Sequence, residues 1–162
     1  MKNGKIIYTP VGIIHTPYKE LKGIPIQPPG AENIKGTVEI EKKFALGLKD
    51  LAAFSHVILI YNFHLAKGYS LEVIPFLDKS PHGMFATRTP KRPNTIGISV
   101  VRLKKIQGNK LFIENIDVID GTPLLDIKPY VKEFDNPGDS KNGWLRKSVH
   151  KLKKIKADER FK

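Results

Sequence analysis

Residues 96–118 read IGISVVRLKKIQGNKLFIENIDV, and they contain two apolar runs that are separated by a glycine-containing turn. The runs from Ile96 to Ile106 and from Lys110 to Val118 are rich in β-branched side chains, which are typical of β-strands. Because short connections that contain glycine join antiparallel strands, Gln107-Gly108-Asn109 predicts the turn of a hairpin. The segment therefore predicts an antiparallel β fold.

Three other segments predict strands. The stretch from Lys5 to Ile14 is β-branched but interrupted by Pro10, and Gly36 to Glu41 alternates with a period of two. His56 to Tyr61 is a continuous apolar run, as expected for a strand that is covered on both faces. Several strands that are divided by glycine and proline turns predict a mainly β protein with long loops, built as a single antiparallel barrel.

Two stretches predict helix. One is short and runs from Leu46 to Phe54, and the other runs from Trp144 to Ile155. The second would be amphipathic, since one face collects Leu145, Val149, Leu152 and Ile155. Loops are expected at Ile24 to Glu32, the loosest part of the chain, and at Pro137 to Asn142. We expect one domain, with a barrel in residues 1–140 and a basic helical extension of it in residues 141–162.

Charge and composition narrow the functional classes. Residues 141–162 hold nine Lys or Arg and two acidic residues, which gives +7 of the chain's net charge of +12. Such a basic face is either the solvated side of a helix or a surface that follows nucleic-acid phosphates. No cysteine is present and the histidines are scattered, so we predict no disulfide and no metal site.

The sequence also predicts the cellular location of the protein. No apolar run approaches the roughly 18 residues that a membrane-spanning helix requires. The first residues, Met1 to Lys5, lead into a β-like segment and not into the apolar region of a signal peptide. We therefore expect a cytoplasmic protein without a membrane segment.

Two segments concentrate polar chemistry. Residues 84–97 place Arg88, Lys91 and Arg92 around two prolines, which stiffen the turn. A stiff turn can hold guanidinium groups for a carboxylate or a phosphate. Residues 117–130 gather three carboxylates, a Gly-Thr-Pro turn and a Lys-Pro-Tyr end. Together these segments predict a ligand site.

The order of these motifs resembles the TsaA-like β-barrel methyltransferases, which use S-adenosylmethionine to methylate threonylcarbamoyladenosine in tRNA. The resemblance covers most of the chain. Besides the two polar segments, it rests on VGIIHTP at 11–17, GIPIQP at 23–28, LKDLAAFSH at 48–56, YNFH at 61–64 and Gly143-Trp144. It implies a barrel that binds S-adenosylmethionine near a homodimer interface and acts on tRNA that carries threonylcarbamoyladenosine, next to the anticodon.

The resemblance also implies which residues contact the cofactor. They are Pro25, Ile26, Gln27, His64, Leu65, Arg88, Ile98, Asp120, Gly121, Thr122 and Pro123. The family loop usually reads Pro-Arg-Gln where this chain has Pro25-Ile26-Gln27. The presumed pocket has therefore lost one cation, and any side-chain contact of that arginine is lost with it.

Other residues are candidates for catalysis and substrate binding. Asp120 and His64 are candidates for assisting removal of the acceptor proton. Arg92 is a candidate for holding the threonyl carboxylate, together with Lys91 and Tyr130 as substrate-binding residues. Each has a structural alternative, since Arg92 would equally cap carbonyls of its turn and Asp120 would equally open a β-turn. Asp126 and Lys128 are interpreted as a structural ion pair.

Two other functions remain open. One is a regulator that binds S-adenosylmethionine on the same barrel without turnover. The other is a nucleic-acid-binding barrel whose arginine loop contacts phosphate, although the Asp120 turn would repel that phosphate. The second alternative predicts RNA binding that weakens steeply with salt and no affinity for the cofactor.

Overall fold

The chain forms a closed antiparallel barrel. The computed structural model describes residues 4–158 and 160–161. The strands within this part are β1 Gly12–His15, β2 Lys35–Ile40, β3 His56–Asn62, β4 Glu72–Val73, β5 His82–Gly83, β6 Ile96–Gln107, β7 Lys110–Glu114 and β8 Thr122–Pro129. Six of them close the barrel in the order β1-β2-β7-β6-β3-β8, while β4 and β5 form a separate two-stranded sheet. The predicted mainly β barrel is confirmed.

The predicted hairpin is β6 and β7. They pair from Arg102 opposite Glu114 to Gln107 opposite Lys110, so the turn consists of Gly108 and Asn109. Gly108 has a φ of 59°, and a positive φ at the first turn position is what two-residue hairpin turns require. The second strand ends at Glu114 and not at Val118, because residues 115–121 leave the sheet to form part of a cavity wall.

Alternation along the strands produces the core. In β3 every second side chain is buried, namely Val57, Leu59 and Tyr61, while those between them are half-buried. The sequence predicts that both faces of this strand are covered, but only one face of β3 is fully buried. The core inside the barrel consists of Ile14, Val38, Ile40, Val57, Leu59, Tyr61, Val101, Leu103, Leu111, Ile113, Ile116, Val118 and Leu124.

Two further predictions from the sequence are wrong. The first strand begins at Gly12 and not near Lys5, since Pro10 has no N–H to donate to a strand and the residues before it are exposed. The segment from Ile24 to Glu32, hereafter the proline loop, is well packed and not loose. Ile24, Pro25 and Ala31 are buried there, and a short 3-10 helix stiffens its middle.

Helical structure is limited to short pieces. The α-helix α1 spans Lys132–Asp135, and the 3-10 helices span Pro28–Gly30, Lys42–Leu48, Leu51–Ala53, Met84–Ala86, Gly143–Lys147 and Val149–Lys151. Helical turns therefore occur where Leu46 to Phe54 predicts them. In the described part of the chain, no helix has the length and apolar character needed to cross a bilayer.

The continuous helix predicted from Trp144 to Ile155 is absent. Two 3-10 helices occupy that stretch, with Ser148 between them. After them the chain is held extended against the proline loop, because Ala157 donates its N–H to the Ile24 carbonyl at 2.7 Å and accepts one from Gly23 at 2.8 Å. These contacts replace helical hydrogen bonds, and isolated short helices have little stability of their own.

Candidate active site

A large cavity opens beside the end of the barrel at which β3 ends and β6 begins. Its volume is about 1040 Å³, which suits a ligand of cofactor size. Most of its wall comes from the proline loop, residues 61–66 at the end of β3, residues 85–90, residues 115–122, and the C-terminal strap, and residues 75–77, Leu21, His56 and Val100 also line it. By C-terminal strap we mean residues 143–158 together with 160 and 161.

Several residues predicted from the sequence meet around this cavity. Arg88 donates from Nη1 to Oε1 of Gln27 at 2.7 Å, which joins residues 61 positions apart. Among the residues that the structure describes, Arg88 forms no ion pair, so its charge is available to a ligand. The predicted residues in the cavity wall are Pro25, Ile26, Gln27, His64, Leu65, Arg88 and Thr122.

Arg92 stabilises the loop that carries Arg88. Its Nη1 donates to the carbonyls of Thr87 at 2.9 Å and Met84 at 3.3 Å, and its guanidinium carbon lies 5.8 Å from the ring centroid of Phe85. Arg92 therefore caps carbonyls of its own loop, which is the structural role predicted from the sequence as its alternative. Neither Arg92 nor Lys91 belongs to the cavity wall. A contact with substrate would have to be made at the rim of the cavity.

Asp120 lies outside the cavity wall and joins the turn before β8 to the end of β1. Its Oδ1 accepts from the Thr16 N–H at 2.9 Å, and its Oδ2 accepts from Lys19 Nζ at 2.6 Å. The hydrogen bond from Lys19, followed by that from Thr16, lowers the pKa of Asp120 below its usual range. A carboxylate with a lowered pKa is a weaker proton acceptor, so the geometry does not favour Asp120 as a general base.

The remaining predicted residues lie at the cavity's margins or on the barrel surface. Gly121 donates its N–H to the Ile14 carbonyl at 3.0 Å, and Pro123 lies opposite Ile13 in the pairing of β8 with β1. Ile98 is 46% exposed on the outer face of β6. The Tyr130 ring meets His56 edge-on, with centroids 6.2 Å apart. The predicted ion pair is formed between Lys128 Nζ and Asp126 Oδ2 at 2.8 Å.

Sequence reasoning did not single out a hydrogen-bonded chain in the cavity wall. Ser99 Oγ donates to Asp117 Oδ1 at 2.6 Å, and the Tyr61 hydroxyl lies 3.0 Å from Ser99 Oγ. Since the Ser99 hydrogen is directed at Asp117, the hydrogen between Tyr61 and Ser99 comes from Tyr61. We call this arrangement the Asp117 relay.

Burial sets the protonation of the relay. Asp117 is half-buried in the cavity wall, and the protein atoms packed around its carboxyl desolvate it and raise its pKa to about 7. The Ser99 hydrogen bond and the positive charge of Arg88 oppose the shift in part. Burial also raises the pKa of Tyr61 above its ordinary value, so Tyr61 remains a proton donor at neutral pH.

A periodicity signal for the relay exists in the sequence. Gly97, Ser99, Val101 and Leu103 alternate on the inward face of β6, and Ser99 interrupts an otherwise apolar series. Gly97 is also required there, because a β-carbon at this position would overlap the ring of Tyr61. Only the register that places Gly97 opposite Tyr61 shows that the two strands bring these residues together.

The C-terminal strap forms the remaining wall. Its Trp144 donates Nε1–H to the Ala86 carbonyl at 2.8 Å, and the indole stacks on His82 with centroids 4.4 Å apart. His82 in turn lies 3.0 Å from Asp78 Oδ2. Three of the four apolar side chains that the sequence assigns to one helical face line the cavity, namely Leu145, Val149 and Leu152, while Ile155 does not. Leu145 and Val149 do so from 3-10 helices, and Leu152 directly follows the second of them.

The described residues that line the cavity provide hydrogen-bonding groups for an organic molecule and are not arranged as metal ligands. Within residues 4–158 and 160–161, no three His, Asp or Glu side chains are grouped so as to hold a metal ion. The cavity instead combines apolar walls, a guanidinium without an ion pair and a desolvated carboxyl. The fold and this cavity define a class of β-barrel proteins with a cofactor-sized cavity beside a basic segment.

Comparisons with known proteins narrow this class. The family tRNA-methyltransferase O N-terminal domain matches residues 13–136. A probable S-adenosyl-L-methionine-binding protein of Pyrococcus abyssi is 57% identical over 96% of this chain and 85% of its own length. Human tRNA (adenine(37)-N6)-methyltransferase is 34% identical over 85% of this chain. A crystal structure of TrmO from Pseudomonas aeruginosa superposes with a TM-score of 0.74 at 38% identity, over 87% of this chain.

The chain belongs to the tRNA-methyltransferase O family, as its sequence motifs predict. This places it among the S-adenosylmethionine-dependent tRNA methyltransferases, with S-adenosylmethionine as the cofactor. The chain spans 33% of the length of the human relative and 63% of the Pseudomonas structure. The strap lies beyond the residues that the family domain matches.

Proposed function

We propose that this protein transfers a methyl group from S-adenosylmethionine to the exocyclic nitrogen of threonylcarbamoyladenosine next to the anticodon of tRNA. The observation that carries the proposal is the cavity, in whose wall Arg88 is hydrogen-bonded to Gln27 and forms no ion pair with any other described residue. Its guanidinium can therefore bind an anionic group of a ligand. Since the proposed substrate is tRNA, we also propose that the reaction takes place in the cytoplasm.

The cavity fits the proposed cofactor. S-adenosylmethionine carries a flat purine and a methionine part with a carboxylate and an ammonium group. Pro25, Pro28 and Phe63 offer apolar surface for the purine, and Arg88 with Gln27 offers donors for the carboxylate. Ile26 lines the same wall and contributes apolar contact where the family usually has arginine. The arginine's cation is thus replaced here by surface that favours a purine.

The chain's own residues supply positioning and exclusion of water. When bound, S-adenosylmethionine supplies an electrophilic methyl group on a positive sulfur. Phe63, Leu145 and Leu152 shield part of the cavity from solvent. Because charge is dispersed or cancelled as the nitrogen attacks the methyl group of a cation, such partial desolvation favours the transition state, and fixed orientation supplies much of the remaining rate. His64 in the cavity wall and Arg92, which holds the loop of Arg88 from outside that wall, remain candidates for contact with the acceptor.

The C-terminal strap is the proposed tRNA-facing surface. Lys147, Lys151 and Lys154 are exposed, and no side-chain partner for them is present in the described part of the chain. Phosphate contacts of such lysines fix position and affinity, whereas sequence is recognised through bases. A loop nucleotide that leaves its stack could then enter the cavity from the strap side.

A second copy of the chain is proposed to cover the outer face of β6. Ile96, Ile98 and Val100 are 40%, 46% and 38% exposed on this face, and they form a contiguous apolar row. Apolar patches of this kind mark interaction surfaces. Ile98 is also an expected cofactor contact, which agrees with a cofactor site near a homodimer interface. Light scattering of the wild type and of an Ile98→Glu variant tests this: the variant should be monomeric.

The test of the proposed function is methyl transfer from labelled S-adenosylmethionine to tRNA. Two otherwise identical tRNA pools are compared, one with the threonylcarbamoyl modification and one without it. Label in the modified pool alone is the expected result. Equal labelling of both pools would contradict the proposed acceptor.

A regulator that binds S-adenosylmethionine without turnover is the second candidate. It is favoured by the names of the archaeal relatives, which describe binding only. Calorimetry with S-adenosylmethionine, combined with the labelling assay, separates the two functions. Cofactor binding together with absent label in both tRNA pools would favour the regulator.

A further inference from the structure

We propose that Asp117 accepts the proton that leaves the acceptor nitrogen during methyl transfer, and that Ser99 and Tyr61 position it for this role. The inference rests on the proposed function and assigns its proton acceptor. Asp117 takes the place of Asp120 as the candidate proton acceptor, because Asp120 lies outside the cavity wall and its two carboxylate oxygens are bonded by Thr16 and Lys19.

Asp117 has the geometry of a group prepared for a ligand. Its Oδ1 is held by Ser99 Oγ at 2.6 Å, and Ser99 is itself held by the Tyr61 hydroxyl at 3.0 Å. Besides the N–H of Asp117 itself, Ser99 is the only group in the described part of the chain that hydrogen-bonds this carboxyl, and it does so through Oδ1. Asp117 also lines the cavity. One oxygen is therefore fixed in orientation while the other can reach a molecule in the cavity.

The surroundings of Asp117 tune it for proton transfer and not for permanent charge. Burial dominates, and it raises the pKa to about 7, where a general base is most effective. Arg88 is the cation that faces it, and its charge opposes the rise together with the Ser99 hydrogen bond. Tyr61 and Tyr18 face it as neutral phenols, since burial raises the pKa of both. A site that only held an ammonium group would gain from a carboxylate that is always ionised.

The proposed step balances. The N–H bond of the acceptor breaks and its proton passes to Oδ2 of Asp117. The electron pair that this leaves on nitrogen forms the new N–CH₃ bond as the methyl–sulfur bond breaks, and the sulfur keeps that bond's pair. Ser99 holds the carboxyl in place throughout, because its hydroxyl bonds Oδ1 in the ionised form and can still bond it in the protonated form.

The first test needs no turnover. Carbon-13 NMR of protein labelled at aspartate carboxyls follows each group through a pH titration, and Asp117→Asn identifies the Asp117 signal by its loss. A titration midpoint near the expected pKa of about 7 supports the inference. A midpoint near the ordinary value for aspartate, roughly 4, overturns it. In Ser99→Ala the midpoint should rise, because that variant lacks a hydrogen bond that lowers the pKa.

The second test separates proton transfer from binding. Asp117→Asn keeps the shape of the side chain, and at saturating cofactor and modified tRNA its rate should fall by roughly 100-fold or more. Its dissociation constant for S-adenosylmethionine should stay within about threefold. Equal losses of rate and affinity would identify a cofactor anchor and overturn the inference, as would a retained rate. A wild type that binds cofactor yet labels neither tRNA pool overturns the proposed function itself, and the base role with it.

Discussion

At the scale of single residues, Arg88 is the cation on which cofactor binding should depend. Its guanidinium is oriented by Gln27 and forms no ion pair within the described residues. Replacement by alanine removes hydrogen bonds to a charged group, so affinity for S-adenosylmethionine should fall roughly 10- to 100-fold by calorimetry. Arg102→Ala is the matched control, since Arg102 is exposed on β6 and is not part of the cavity wall. Equal losses in the two variants would refute a specific role for Arg88.

Motif reasoning found one side of the site and missed the other. Arg88, Gln27 and His64 could be predicted because each lies in a short motif whose order along the chain is visible. The Asp117 relay could not, since Tyr61, Ser99 and Asp117 become neighbours only through the register of β3 with β6 and the path of residues 115–121. Asp120 was more conspicuous in the sequence than Asp117, yet its carboxylate faces Lys19.

At the scale of elements, Gly97 tests how tightly β6 and β3 fit. A β-carbon there would overlap the Tyr61 ring, so Gly97→Ala must displace either the ring or the strand. Crowding of this kind costs about 1–3 kcal/mol, which urea unfolding would measure as a lower free energy of unfolding. Gly83→Ala is the control, because space for its β-carbon is open, and it should change that free energy by less than about 0.5 kcal/mol. Equal stability of the two variants would contradict the overlap.

The C-terminal strap is the element that closes the cavity. Trp144→Ala removes the hydrogen bond to Ala86 and the stacking on His82, so amides of the strap should exchange hydrogen faster. Cofactor affinity should fall about fivefold or more, in line with the loss of one hydrogen bond. Phe134→Ala is the control, because Phe134 is 82% exposed and outside the cavity wall. Unchanged exchange in the strap of Trp144→Ala would show that its other contacts suffice.

Local periodicity predicts the strands well because their partners repeat the same alternation. It predicts the strap poorly, since the apolar spacing of Leu145, Val149 and Leu152 is satisfied equally by two 3-10 turns. The choice between them depends on contacts with distant residues, such as those of Ala157 with Gly23 and Ile24. Those contacts are invisible in a sequence read one segment at a time.

At the scale of the whole molecule, stability should depend on pH through Asp117. Its pKa is raised in the folded protein to about 7, above the ordinary value of 3.8, so the folded chain holds a proton that the unfolded chain has lost between these values. The free energy of unfolding should therefore fall as pH rises from about 4 to 7, by up to about 1.4 kcal/mol per pH unit. The lowered pKa values of Asp78, Asp120 and Asp158 act below this window.

Asp117→Asn isolates that contribution. The variant cannot ionise at this position, so its stability should exceed that of the wild type by an amount that increases from pH 4 to pH 7. Denaturant unfolding at several pH values gives both curves, and contributions from all other groups cancel in their difference. Parallel curves would mean that Asp117 titrates normally in the folded protein.

The net charge of +12 predicts a nucleic-acid partner for the molecule as a whole, and the strap, if it carries the contact, should determine the salt dependence. Each lysine that neutralises a phosphate adds about 0.7–0.9 to the slope of log affinity against log salt. Replacing Lys147, Lys151 and Lys154 by glutamine should therefore lower the slope for tRNA by up to roughly 2–3, with cofactor affinity unchanged. Lys42, Lys49 and Lys132 are exposed and outside the strap, and replacing them removes the same charge. If this control lowers the slope equally, tRNA responds to net charge alone and the strap is not its binding surface.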